Sequence, residues 1–218
     1  MSADEDLLTA ADTASARDRL AAALRTTINF IMAAEFEDEA VVHAAQCVEE
    51  LNVRLAKAGT VASIASFDAE TFFGGNFRKL TSPITGLWNP LAPPIRIQEI
   101  EGADGGPHEV LGHVMFDRAY EGVPNCVHGG VIAQTLDELL GAANQAAGTV
   151  GMTGTMTVRY LRPTPSRTDL RLEARCLRRE GRKLFPWAGI YHGDNLTAEA
   201  EGLFIQVTPE QFLAIARG

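Results

Sequence analysis

Residues 128–130 read His-Gly-Gly, and after six further residues comes an adjacent pair of acids, Asp137 and Glu138. Gly129 and Gly130 at a helix start could offer backbone N–H groups with the positive end of the helix dipole behind them. That is what a carbonyl oxygen needs as it becomes an oxyanion under attack. A carboxylate within an apolar helix is costly unless it is partnered or used. Together the two features suit acyl transfer, with one end gripping the oxygen and the other activating water or attacking directly. Plain alternatives exist for each. A glycine pair also makes a tight turn, and Gln134, Asp137, Glu138, Gly141, Asn144 and Gln145 recur as a solvated stripe would. Glu138 points about 100° further round the helix than Asp137, so the two acids cannot share a role. One of them is the candidate general base or nucleophile.

Eight residues separate Gly129 from Asp137, about 12 Å along a helix. One small acyl group cannot touch both ends of that span. If both residues act on one substrate, they come from different copies of the helix, and the site requires at least a homodimer.

Positioning these residues needs a frame, and the apolar periodicity supplies one. Leu20, Leu24, Ile28 and Ile31 fall at helical spacing over about 14–34, as do Val41, Ala45, Val48, Leu51 and Leu55 over about 38–57. The texture then turns to glycine and proline from Phe72 to Pro94, a lid, a binding segment or a plain surface linker. Strands are predicted at 95–100, around Val110–Phe116, over Met156–Tyr160, over Leu170–Cys176, and at 184–191 and 197–207. A His192-Gly193-Asp194-Asn195 turn joins the last two. Pro186 falls inside a predicted strand and demands an edge position or a bulge. Residues 209–216 are read as a short closing helix. One helix, apolar over most of its circumference, among six mostly alternating strands gives an α+β fold whose antiparallel sheet wraps a long central helix.

Composition narrows the function classes. The formal charge is −9, of which −8 falls on residues 1–70, so the N-terminal part is a poor ligand for nucleic acid. No apolar run is long enough to span a bilayer, and the acidic N-terminus, Met1-Ser2-Ala3-Asp4-Glu5-Asp6, does not resemble a secretory signal. Cys47, Cys126 and Cys176 show no ligand spacing, and His108, His113 and His192 have no partners at metal spacing, so no metal site is expected. A cytoplasmic protein follows. Nine basic residues lie between Arg159 and Lys183 against three acids, a segment that could face an anionic ligand or simply lie on exposed strand faces.

Three separated pieces of the sequence resemble the hotdog-fold acyl-CoA thioesterases of the PaaI type over about residues 80–207. They are Tyr120-Glu121-Gly122-Val123-Pro124-Asn125-Cys126-Val127-His128-Gly129-Gly130 with Asp137 after it, Met152-Thr153 followed by Arg159-Tyr160-Leu161-Arg162-Pro163-Thr164-Pro165, and Glu180-Gly181-Arg182-Lys183 with Ala198-Glu199-Ala200. The resemblance implies hydrolysis of an acyl-CoA to a free acid and CoA, without metal or redox cofactor. It places Asp137 as the catalytic acid and implies a role for Thr153 with the attacking water or the carboxylate. His128 could hold the loop or contact the coenzyme. Arg159, Arg162, Arg182 and Lys183 are candidates for the CoA phosphates. The implied organisation is an acidic helical extension over 1–60, a connecting segment over 61–94, a hotdog domain over 95–208 and a short tail helix over 209–218, assembled as a homodimer or a dimer of dimers. A non-catalytic acyl-CoA-sensing module is the alternative, and a hydratase fits less well because its motif is spaced differently.

Overall fold

The computed structural model describes residues 16–59, 81–102, 106, 108–208, 210–211 and 214. The early part of the connecting segment and most of the predicted closing helix lie outside these residues. Two helices come first, α1 (Ala16–Ala33) and α2 (Asp38–Ala58). They are followed by β1 (Arg96–Ile100), β2 (Glu109–Val114), a 3-10 turn (Arg118–Tyr120), and the short β3 (Glu121–Val123) and β4 (Cys126–Val127). Then come the central helix α3 (Gly129–Ala146) and four long strands, β5 (Gly151–Tyr160), β6 (Leu170–Glu180), β7 (Lys183–His192) and β8 (Asn195–Gln206).

Six strands form one antiparallel sheet in the order β1-β2-β6-β7-β8-β5, and β3 pairs with β4 apart from it. Alternation decides which side chains face the helix. Val110 and Val114 of β2, Leu170, Leu172 and Ala174 of β6, Leu184, Ala188 and Ile190 of β7, and Ala198, Ala200 and Phe204 of β8 are all buried. They close on Ile132, Leu136, Leu139, Leu140 and Ala143 of α3, with Phe116 and Ile84 filling the margins. This is the hotdog architecture, an antiparallel sheet curled round a long helix.

Pro186 sits in β7, an interior strand. The edge option is therefore closed, and the bulge option applies. Opposite it, β6 shifts register between Cys176 and Arg178, and the ladder to β8 has no pair at Phe185 or Pro186. A residue without an N–H is tolerated where the ladder is already interrupted.

The N-terminal helices differ from each other. Ala21 of α1 is buried, and Arg25 donates to the carbonyls of Ala92 and Asn89 at 2.8 and 3.2 Å. No residue of α2 is buried, and Val41, Val42, Val48, Val53 and Leu55 are all exposed. The described part of the connecting segment is no loose linker, since Ile84 enters the core and Tyr120 donates to the Leu91 carbonyl at 3.2 Å.

Candidate active site

The approach to α3 is tied down before the helix begins. Pro124 and Asn125 turn β3 into β4, with Asn125 at φ 65°, a left-handed conformation that asparagine tolerates. Val127 N–H donates to the Thr164 carbonyl at 2.9 Å and His128 N–H to the Tyr120 carbonyl at 2.8 Å. Ser166 donates to the carboxylate of Glu121 at the start of β3. That hydroxyl, more than the Asn125 N–H, Arg167 or Arg118, holds the Glu121 carboxyl below its ordinary range.

His128 caps α3. Its Nδ1 accepts from Gly130 N–H at 2.9 Å, and its carbonyl accepts from Val131 and Ile132 N–H at 2.9 and 3.1 Å. The glycine pair is therefore not equivalent. Gly130 N–H is engaged in the cap, whereas Gly129 N–H has no partner among the described residues. The open donor at the positive end of the helix is Gly129.

Two turns on, Asp137 is half-buried and accepts from the Thr153 hydroxyl at 2.9 Å. Glu138 is also half-buried and accepts from Thr85 at 3.1 Å, a bond from the connecting segment that was not foreseen. The polar stripe of α3 thus changes character along its length. Gln134 is exposed, Asp137, Glu138 and Gly141 are half-buried, and Asn144 is fully buried. A purely solvated stripe would not contain a fully buried amide such as Asn144.

Thr153 raises a question of parity. Met156 and Val158 pack on the core, so with strict alternation Thr153 would share the outer face with Thr155 and Thr157. Instead β5 spends one extra residue, Gly154, where Thr153 pairs with Phe204 and Thr155 with Leu203. Directly paired residues share a face, and Phe204 is a core residue. The bulge therefore turns Thr153 inward to Asp137. A side chain at 154 would sit 3.1 Å from the Leu203 carbonyl, so glycine suits the position. Glycine within an alternating run is the sequence signal for such a bulge.

At the other end of β5, the Tyr160 hydroxyl donates to the Gly129 carbonyl at 2.9 Å. Sequence reasoning gave Tyr160 no role. The proposed phosphate contacts are scattered. Arg159 is on the outer face, held by Glu199 at 2.9 Å and Glu201 at 3.0 Å. Arg162 donates to the Leu196 carbonyl at 3.1 Å and Arg182 to the Gln206 carbonyl at 3.2 Å, while Lys183 is exposed beside the β6–β7 turn. Among the described residues, no group of three His, Cys, Asp or Glu side chains could hold a metal ion, and no helix is long and apolar enough to cross a membrane.

Residues 125–199 match the thioesterase superfamily model. A solved thioesterase superfamily protein is 31% identical and superposes with a TM-score of 0.77, over 88% of this chain and 95% of that one. This chain belongs to the thioesterase superfamily. The superfamily match begins at Asn125 and takes in the cap, both acids, Thr153 and Tyr160. Over 93 residues the chain is 37% identical to the acyl-coenzyme A thioesterase THEM4 of Mus musculus, covering 42% of this chain and 40% of the relative. Against the Bos taurus THEM4 it is 34% identical over 93 residues, 42% of this chain and 38% of that one. The chain thus spans about two fifths of the length of these curated relatives.

Proposed function

We propose that this thioesterase superfamily chain hydrolyses acyl-CoA thioesters to a free carboxylic acid and CoA at sites shared between two subunits. The observation that carries this reading is the pair of opposed fittings on one helix, an open N–H at Gly129 and a hydroxyl-held carboxylate at Asp137. Gly129 N–H receives the carbonyl oxygen as negative charge builds on it. Asp137, oriented by Thr153, either takes a proton from the attacking water or adds to the carbonyl itself. In the first case the resulting hydroxide adds to the carbon, the tetrahedral intermediate collapses, and the C–S bond breaks to release CoA thiolate. His128 stands beside Gly129 as a further donor. The CoA phosphates are assigned to Lys183 and to the outward faces of Arg162 and Arg182, with Arg159 already held by two carboxylates.

The geometry of β5 supports the shared site. It is an edge strand of ten residues, largely exposed. Thr153 near one end touches Asp137, and Tyr160 at the other touches Gly129. Antiparallel pairing of this edge with its copy, about the middle of the strand, brings the Thr153 end of one strand beside the Tyr160 end of the other. Asp137 of one subunit then approaches the partner's Gly129, which is the match that the span along α3 demands. The three unpaired cysteines fit a reducing cytoplasm.

Turnover of a panel of acyl-CoA esters by wild type and Asp137→Asn tests the reading. The expected outcome is a loss of about 10²-fold or more in kcat, with CoA-ester binding retained. Hydrolysis unaffected by the change would refute the assignment. Tight binding of CoA esters by the wild type without any turnover would point to a sensing module.

A further inference from the structure

Two successive peptide units at the start of α3 are held through three of their four polar groups. The His128 carbonyl takes the N–H of Val131 and Ile132, the Gly129 carbonyl takes the Tyr160 hydroxyl, and Gly130 N–H takes His128 Nδ1. Only Gly129 N–H is left. An Nδ1 that accepts a hydrogen bond carries no proton, so the neutral imidazole holds its hydrogen on Nε2. Phenol hydroxyl, peptide and imidazole therefore form one chain, with links of 2.9 and 2.9 Å. Donation into a carbonyl draws electron density from the amide and strengthens its N–H as a donor to the next member.

We propose that Tyr160 is a positioning residue that fixes the Nε2–H tautomer of His128 and the orientation of Gly129 N–H, so that both donors face the acyl-CoA preset. The kinetic part of this inference rests on the hydrolase reading above; the tautomer part does not. Tyr160 lies 54% exposed, and its ring runs within 3.6–3.7 Å of where a Gly129 Cβ would be. Phenylalanine would keep that packing and remove only the hydroxyl, so Tyr160→Phe isolates the hydrogen bond.

The experiment is nuclear magnetic resonance on full-length protein with ¹⁵N-labelled histidine and glycine, alongside steady-state kinetics. In the wild type, His128 should show an unprotonated Nδ1 and a protonated Nε2, with the Gly130 amide proton shifted downfield. In Tyr160→Phe the Gly130 amide should move upfield and the ring should sample both tautomers. With a cleaved acyl-CoA, kcat should fall about three- to tenfold with little change in KM, as loss of one neutral hydrogen bond predicts. Added to His128→Gln, Tyr160→Phe should cost almost nothing more, because the two act through one chain. Identical Gly130 and His128 signals in wild type and Tyr160→Phe would overturn the proposal, as would full multiplicative losses in the double variant. If no acyl-CoA is cleaved by the wild type, the hydrolase reading fails, while the ring signals still decide the tautomer chain.

Discussion

At the scale of single residues, the site is a matter of which polar groups are spent and which are left open. Gly129 can be tested without disturbing its surroundings. Proline is well accommodated at the first position of a helix, where its missing N–H breaks no intrahelical bond. His128 at φ −61° and ψ 135° already has the extended backbone that a following proline requires. Gly129→Pro should therefore retain the thermal midpoint and lose about 10²–10³-fold in kcat, the cost of one oxyanion donor; undiminished turnover would remove that N–H from the mechanism. Glu121 gives a different prediction, in pH. Its carboxyl is held below the ordinary value of 4.5, chiefly by the Ser166 hydroxyl. The stability it contributes is thus present above that value and is lost as pH falls through the lower folded one. Thermal midpoints of wild type and Glu121→Gln should differ near neutrality and converge in acid.

At the scale of elements, the bulge in β5 carries the main lesson. Inserting one alanine between Thr153 and Gly154 should set the new residue opposite Phe204 and turn Thr153 outward, opposite Ile205. Secondary structure by circular dichroism should persist while kcat falls about tenfold or more, as for loss of a hydrogen bond to a charged group. Making the inserted residue threonine instead of alanine should return a hydroxyl to the inner face and recover part of the activity. If the alanine insertion leaves kcat intact, Thr153 does not serve Asp137. The same strand shows what could be read beforehand. The period-two stretches of β5 and β6 and the apolar helix before them were plain because burial imposes their periodicity residue by residue. Asp137 and Thr153 were proposed through resemblance, and alternation alone would have pointed Thr153 away from Asp137. Tyr160 was missed because its partner is a backbone carbonyl 31 positions away, and nothing in local sequence marks a carbonyl as a target. Thr85, on Glu138, was hidden for the same reason: a bond across 53 positions depends on tertiary packing.

At the scale of the whole molecule, the proposed sharing of sites would make two subunits the unit of catalysis. Mixing Asp137→Asn with Gly129→Pro should restore about a quarter of wild-type turnover on random pairing, since half the pairs are mixed and each keeps one intact site. Verified heterodimers without activity would confine the chemistry to one chain. The two edges of the sheet also differ in a way that bears on life before assembly. One is β1, five residues with Arg96 and Glu99 to discourage neighbours. The other is β5, ten residues rich in threonine and methionine, free of proline and with Arg159 as its sole charge. A newly made chain therefore displays an unguarded template, open to any extended segment that meets it first. Lone subunits would be a hazard more than a reserve, and a variant that blocks subunit pairing should aggregate on concentration before it accumulates as stable monomer.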